Sequence, residues 1–155
     1  MQRRGHTLYP HGQAPLAIGR HDLALKILTQ ENKPSWLYEV KMGATTIWEN
    51  WLAIDDDGNP IKTSFDHYAF GVIDGYICHG ICGIDSDTPG YEHIIVRPDE
   101  QAFDSFKRTF ISEKGKITVQ KDGNSLTIEI PCNSTATVHW KNAEHKIGSG
   151  KYIFN

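Results

Sequence analysis

A chain of 155 residues, 39% hydrophobic and 23% charged with a net charge of −3, has the make-up of one globular domain or two small ones. It holds no basic cluster of the kind that grips nucleic acid or an anionic membrane surface, and no apolar run near the ~20 residues a membrane-spanning helix needs. Arg3-Arg4 is followed by no apolar run long enough for a signal peptide, which favours a cytoplasmic location, and three cysteines argue against a disulfide framework.

Residues 1–15 carry Pro10, Gly12 and Pro15 without a clear period and read as an irregular lead-in. From Leu16 onward the apolar residues Leu16, Ile18, Leu23, Leu25, Ile27 and Leu28 predict a helix, best drawn from Asp22 as N-cap to about Gln30. Asn32-Lys33-Pro34 breaks it. Ser35 is placed to cap a second short helix through Val40, and Gly43 to end it. The β-branched Thr45, Thr46 and Ile47 favour extended chain through Trp51. On such a chain Ile47, Glu49 and Trp51 share one face and Trp48 points the other way.

Asp55-Asp56-Asp57-Gly58-Asn59-Pro60 has turn composition. Its Asp55, Asp57 and Asn59 are spaced like the start of a calcium loop. Pro60, however, stands where the sharp turn needs glycine, and no bidentate glutamate closes the loop. A solvated turn is the better reading. Ser64 then starts the clearest predicted helix, with Phe65, Tyr68, Val72, Ile73, Tyr76, Ile77 and Ile81 at helical spacing. Gly71, Gly75 and Gly80 weaken that helix by up to ~1 kcal/mol each. Cys78 and Cys82 lie four apart on it, but no second Cys/His pair completes a metal site, so they read as buried free thiols. No metal or cofactor is predicted.

Asp85 to Gly90 is rich in turn residues, and short alternating segments follow. The predicted strands are 92–96, 105–111, 116–121, 125–130, 135–140 and 151–154, punctuated by Gly115, Asp122-Gly123-Asn124, Pro131 and Gly148-Ser149-Gly150. Six short strands at this spacing predict an antiparallel β-sandwich. The chain therefore divides into a helical part, 1–86, and a β-sandwich, 87–155.

Three of the four tryptophans fall between Pro34 and Trp51, and two of them bracket Glu49. A carboxylate beside indole rings suits a sugar site, where an apolar wall meets a group able to accept a proton. Glu31 and Glu39 are also available, but they sit on short helical segments with nothing around them to single them out. His67, near the predicted helix start, would be held neutral by the helix dipole and could both donate to and accept from sugar hydroxyls. Trp48 and Trp51 are candidates for stacking on a sugar ring, with one of the two expected at the pocket. Trp140 is expected in the sandwich core.

Several long motifs occur here in one order: Pro34-Ser35-Trp36-Leu37-Tyr38, Gly43-Ala44-Thr45-Thr46-Ile47-Trp48-Glu49-Asn50-Trp51, Ser64-Phe65-Asp66-His67-Tyr68-Ala69-Phe70-Gly71, Pro89-Gly90-Tyr91-Glu92-His93-Ile94-Ile95-Val96-Arg97-Pro98, and Ile147 to Phe154. Together they resemble the C-terminal part of bacterial α-L-rhamnosidases, glycoside hydrolase family 78, from about residue 20 to the end. The resemblance implies the last helices of an (α/α)6 six-hairpin barrel followed by a β-sandwich, with a complete C-terminus and a truncated N-terminus. It also implies inverting hydrolysis of terminal α-L-rhamnose, with Glu49 as general base and His67 as a sugar ligand. Nothing in residues 1–48 resembles the family's acid-bearing segment, so the chain alone is expected to be inactive. The partners implied are a rhamnose-containing glycoside and either the missing barrel portion in trans or a second copy of the chain. Two other readings compete: a non-catalytic carbohydrate-binding or structural β-sandwich module, and a decayed product that does not fold stably alone.

Overall fold

A computed structural model describes residues 21–155; the lead-in over 1–15, together with Leu16 and Ile18, lies outside the described residues. The chain separates into two compact units, one ending at Tyr76 and the other running Ile77–Asn155. Among the described residues no helix is long and apolar enough to cross a membrane.

In the first unit, helix α1 spans His21–Leu28. Asp22 lies inside its first turn and does not cap it, a place where its charge still suits the positive end of the helix dipole. Helix α2 spans Trp36–Lys41, and Ser35 caps it as its sequence predicts, the hydroxyl accepting from the Tyr38 N–H at 3.0 Å. Its far end is a Schellman turn. Gly43, at φ +86°, donates to the Val40 carbonyl and Ala44 donates to that of Glu39, both at 3.0 Å. The acidic loop is a turn that satisfies itself: the Asp55 carboxylate accepts from the Asp57 and Asn59 amides at 3.0 and 2.7 Å.

The single helix predicted from Ser64 does not form. Ser64 and Asp66 bond to each other in a bend, and the helical run begins only at Tyr68. It is then broken into a 3₁₀ turn at Tyr68–Phe70, an α-helical turn, α3, at Val72–Gly75, and a π-helical segment at Tyr76–Ile81. Apolar spacing picked out Tyr76 and Ile81, which are buried, but also Tyr68, which is exposed, and it gave no sign of the changing pitch. Cys82 donates to the Ile77 carbonyl at 2.9 Å, a five-residue step typical of π-helix. Cys78 and Cys82 are buried free thiols, whereas Cys132 is exposed.

The second unit carries eight strands: β1 Ile84–Ser86, β2 His93–Val96, β3 Ser105–Ser112, β4 Gly115–Asp122, β5 Ser125–Ile130, β6 Thr135–Trp140, β7 Ala143–Ile147 and β8 Gly150–Phe154. They form two four-stranded sheets, ordered β1-β2-β6-β7 and β3-β4-β5-β8. All six predicted strands are present within a residue of their expected ends. Every pair is antiparallel except β2 with β6, which run parallel. Strand β1 had been placed on the helical side of the boundary at residue 86, yet it is hydrogen-bonded into the first sheet.

Strict alternation buries Leu126, Ile128 and Ile130 along β5. Ile117 and Val119 join them from the same sheet, and Ile84, Ile94, Val96, Ala136, Val138 and Trp140 come from the other. Removing one of the larger side chains would cost about 2–5 kcal/mol. Buried Lys121 keeps its ammonium satisfied by donating to the Phe103 carbonyl at 2.7 Å. Gly83 is required by close approach: at φ +67° its α-carbon lies so near β2 that a Cβ would stand 2.0 Å from the Arg97 carbonyl.

Candidate functional site

The segment carrying Glu49 is fixed by a second segment, residues 63–67, lying alongside it. The His67 amide donates to the Ile47 carbonyl at 2.8 Å and the Glu49 amide to the Ser64 carbonyl at 3.0 Å. The Thr46 hydroxyl donates to the Phe65 carbonyl. This is an irregular pairing, not a strand: the chain bends at Glu49 and turns at Trp51. Trp48 is buried and Glu49 exposed.

The Glu49 side chain turns back onto the same segment. Its Oε2 accepts from the Ser64 amide at 3.0 Å and from the Thr63 hydroxyl at 3.3 Å. The Ser64 hydrogen bond holds its carboxyl below the usual glutamate value; burial opposes it, and nearby His67 and the Thr63 hydroxyl add to the lowering. A carboxylate so held stays ionised to lower pH than a free glutamate.

His67 precedes the helical run instead of sitting in its first turn, so the helix-dipole argument for its neutral form does not apply. Its ring is half-buried and stacks on that of Tyr68, with centroids 5.0 Å apart and an interplanar angle of 16°. It is brought near Glu49 by the pairing of the two segments.

The two tryptophans differ. Trp48 is 4% exposed and meets Phe65 edge-on at 5.3 Å. Trp51 is half-buried between Trp36 at 4.9 Å and Phe70 at 4.8 Å. The Trp36 indole N–H donates to the Phe70 carbonyl at 3.2 Å, which ties this aromatic group to the 3₁₀ turn. Trp36 had carried no functional signal in the sequence, yet it is a wall against which Trp51 rests.

Of the other carboxylates, Glu31 is exposed and paired with Lys41, whose hydrogen bond lowers its pKa. Glu39 is the one that sequence reasoning passed over. It is 2% exposed, its Oε2 accepts from the Trp48 amide at 3.4 Å, and its Oε1 has no partner among the described residues. Burial pushes its pKa up, opposed by the Trp48 hydrogen bond. An orphaned buried polar atom costs about 1–3 kcal/mol. Glu39 lines a shallow cleft of about 270 Å³ with Trp36, Val40, Ala44 and residues 45–47. The sequence hint was an acidic residue between apolar Tyr38 and Val40 on a short helix.

Comparison with known proteins places this geometry. The bacterial alpha-L-rhamnosidase 6 hairpin glycosidase domain matches residues 13–81, and the bacterial alpha-L-rhamnosidase C-terminal domain matches residues 83–153. An alpha-L-rhamnosidase of Streptomyces avermitilis is 36% identical over 135 residues, which is 82% of this chain and 13% of that protein. The crystal structure of the Streptomyces avermitilis alpha-L-rhamnosidase complexed with L-rhamnose superposes with a TM-score of 0.78 at 28% identity, over 90% of this chain and 16% of that one. The native enzyme from Aspergillus terreus gives 0.81 at 27% identity, over 92% and 18%. The chain thus spans roughly one-seventh of the length of the curated relatives it matches. It carries the end of a six-hairpin glycosidase domain and the sheet-rich domain after it, and it belongs to the bacterial α-L-rhamnosidase family.

Proposed function

We propose that the chain supplies the general base of an inverting α-L-rhamnosidase, and that it is inactive by itself. Glu49 would take a proton from water on one face of a terminal α-linked L-rhamnose. A second carboxyl, outside this chain, would protonate the leaving oxygen from the other face. The two must stand roughly 6.5–9.5 Å apart to leave room for that water. His67 would hold a sugar hydroxyl. Of the two tryptophans beside Glu49, Trp51 is the less buried and would take the stacking role, while buried Trp48 anchors the loop.

The observation that carries this reading is the pair of hydrogen bonds from Ser64 and Thr63 to an exposed carboxylate. They favour the ionised form, which a base needs and an acid does not. The test is to assay an aryl α-L-rhamnoside with the chain alone and with the chain grafted in place of the matching segment of the Streptomyces avermitilis relative. The chain alone should give no turnover. The graft should release β-L-rhamnose first, read by proton NMR of the anomeric signal. Turnover by the chain alone, abolished by Glu49→Gln, would contradict the missing-acid argument, and release of the α anomer would contradict inversion. Saturable quenching of tryptophan fluorescence by rhamnose, with a graft that does not turn over, would favour a non-catalytic sugar-binding module.

A further inference from the structure

We propose that Glu39 is a positioning residue for Glu49: its buried carboxyl holds the Trp48 amide from the side of the loop opposite residues 63–67. Three successive backbone groups lead to the candidate base, and each has a partner. The Ile47 carbonyl is held by the His67 amide and the Glu49 amide by the Ser64 carbonyl. The Trp48 amide between them faces the other way and is held by Glu39 Oε2, in a long bond of 3.4 Å. The loop is therefore clamped from two sides, and α2 supplies the second.

Glu39 is a firm anchor because its own backbone is tied at both ends. Its amide donates to the Ser35 carbonyl at 3.3 Å, and its carbonyl accepts from Ala44 at 3.0 Å. A leucine or methionine would fill the space without an unpartnered oxygen, but neither could accept from the Trp48 amide. The carboxyl is thus kept in a place where only its acceptor capacity distinguishes it from a hydrocarbon. Burial favours its neutral form, whose carbonyl oxygen still accepts.

The functional meaning of this contact rests on Glu49 being the base, but the contact can be tested independently. In the whole chain, the Trp48 amide proton would be followed by NMR beside the side-chain carboxyl carbons of Glu39 and Glu49 across the acid range. The Trp48 amide should move with the midpoint of Glu39. Glu39→Gln, which keeps an acceptor, should preserve the slow exchange of the Trp48 amide. Glu39→Met should speed that exchange at least tenfold and return the Glu49 midpoint toward the ordinary glutamate value. A Trp48 amide indifferent to the Glu39 midpoint overturns the proposal. So does a folded Met variant with wild-type exchange at Trp48 and an unmoved Glu49 midpoint. If the Met variant does not fold, the wild-type titration decides alone. A failed base assignment would appear in turnover and leave all these signals unchanged.

Discussion

The helical unit and the strand unit are held together by different means. In the strand unit, eleven apolar side chains from the two sheets, Ile84 to Trp140, are buried to 3% exposure or less, although Ile111 and Ile153 stay exposed, and the backbone is closed by regular ladders. In the described part of the helical unit, Ala24, Trp48, Ala53 and Tyr76 are the buried apolar residues, while Leu23, Ile27, Val40, Leu52, Ile61 and Tyr68 stay exposed. Its order comes from caps, turns and side chains bonded to backbone: Ser35, Asp55, Thr46, Ser64, Glu39 and Glu49. The first arrangement makes a scaffold. The second aims particular groups, and it is the one that carries the candidate base.

The sharpest way to break this comparison is to add one methyl group to a glycine in each unit. Gly83→Ala should cost the strand unit on the order of 4 kcal/mol, because the new Cβ cannot coexist with the Arg97 carbonyl and the backbone cannot relax without breaking β1 from β2. Gly43→Ala, at a similar positive φ but with nothing within 4 Å, should cost only the ~1–2 kcal/mol of left-handed strain. Denaturant unfolding of both variants measures the difference. Equal losses would mean that close packing is not what distinguishes the two units.

A smaller effect sharpens the account of the helical unit. The folded-state pKa of Glu49 is depressed, so its carboxylate stays charged as pH falls past the value of an unfolded glutamate. The stability it contributes is present above that unfolded value and is lost as pH falls through the lower, folded one. Carbon-13 NMR of the side chain should give a midpoint below an ordinary glutamate, and Thr63→Val should raise it slightly, since Thr63 is a lesser cause than Ser64. A midpoint at or above the ordinary value would show that the Ser64 and Thr63 hydrogen bonds do not hold the charged form.

Much of this was legible in the residues themselves. Alternation fixed Ser125–Ile130 and Thr135–Trp140, and the Ser35 and Gly43 signals marked both ends of α2. Strand β7 was missed because Ala143–Ile147 is an exposed edge with no apolar alternation, entered through a two-residue turn in which Lys141 and Asn142 both have positive φ. Lysine gives no signal of such a turn. Strand β1 is three residues long, too short for a period to declare itself. The run after Ser64 misled because apolar spacing gives no sign of a pitch that changes from 3₁₀ to α to π, and because Tyr68, which fits the helical pattern, is in fact exposed. Glu49 stood out through its neighbours in sequence. Glu39 did not, because its importance comes from a residue nine positions away that the Schellman turn folds back onto it.

Exchange of one oxygen for nitrogen at Glu49 tests the central claim most directly. In the graft with the Streptomyces avermitilis relative, Glu49→Gln preserves size while removing the proton acceptor. It should lower kcat on an aryl α-L-rhamnoside by about 10²–10⁴-fold with little change in rhamnose affinity. A kcat within threefold of the unsubstituted graft would show that some other group takes the proton.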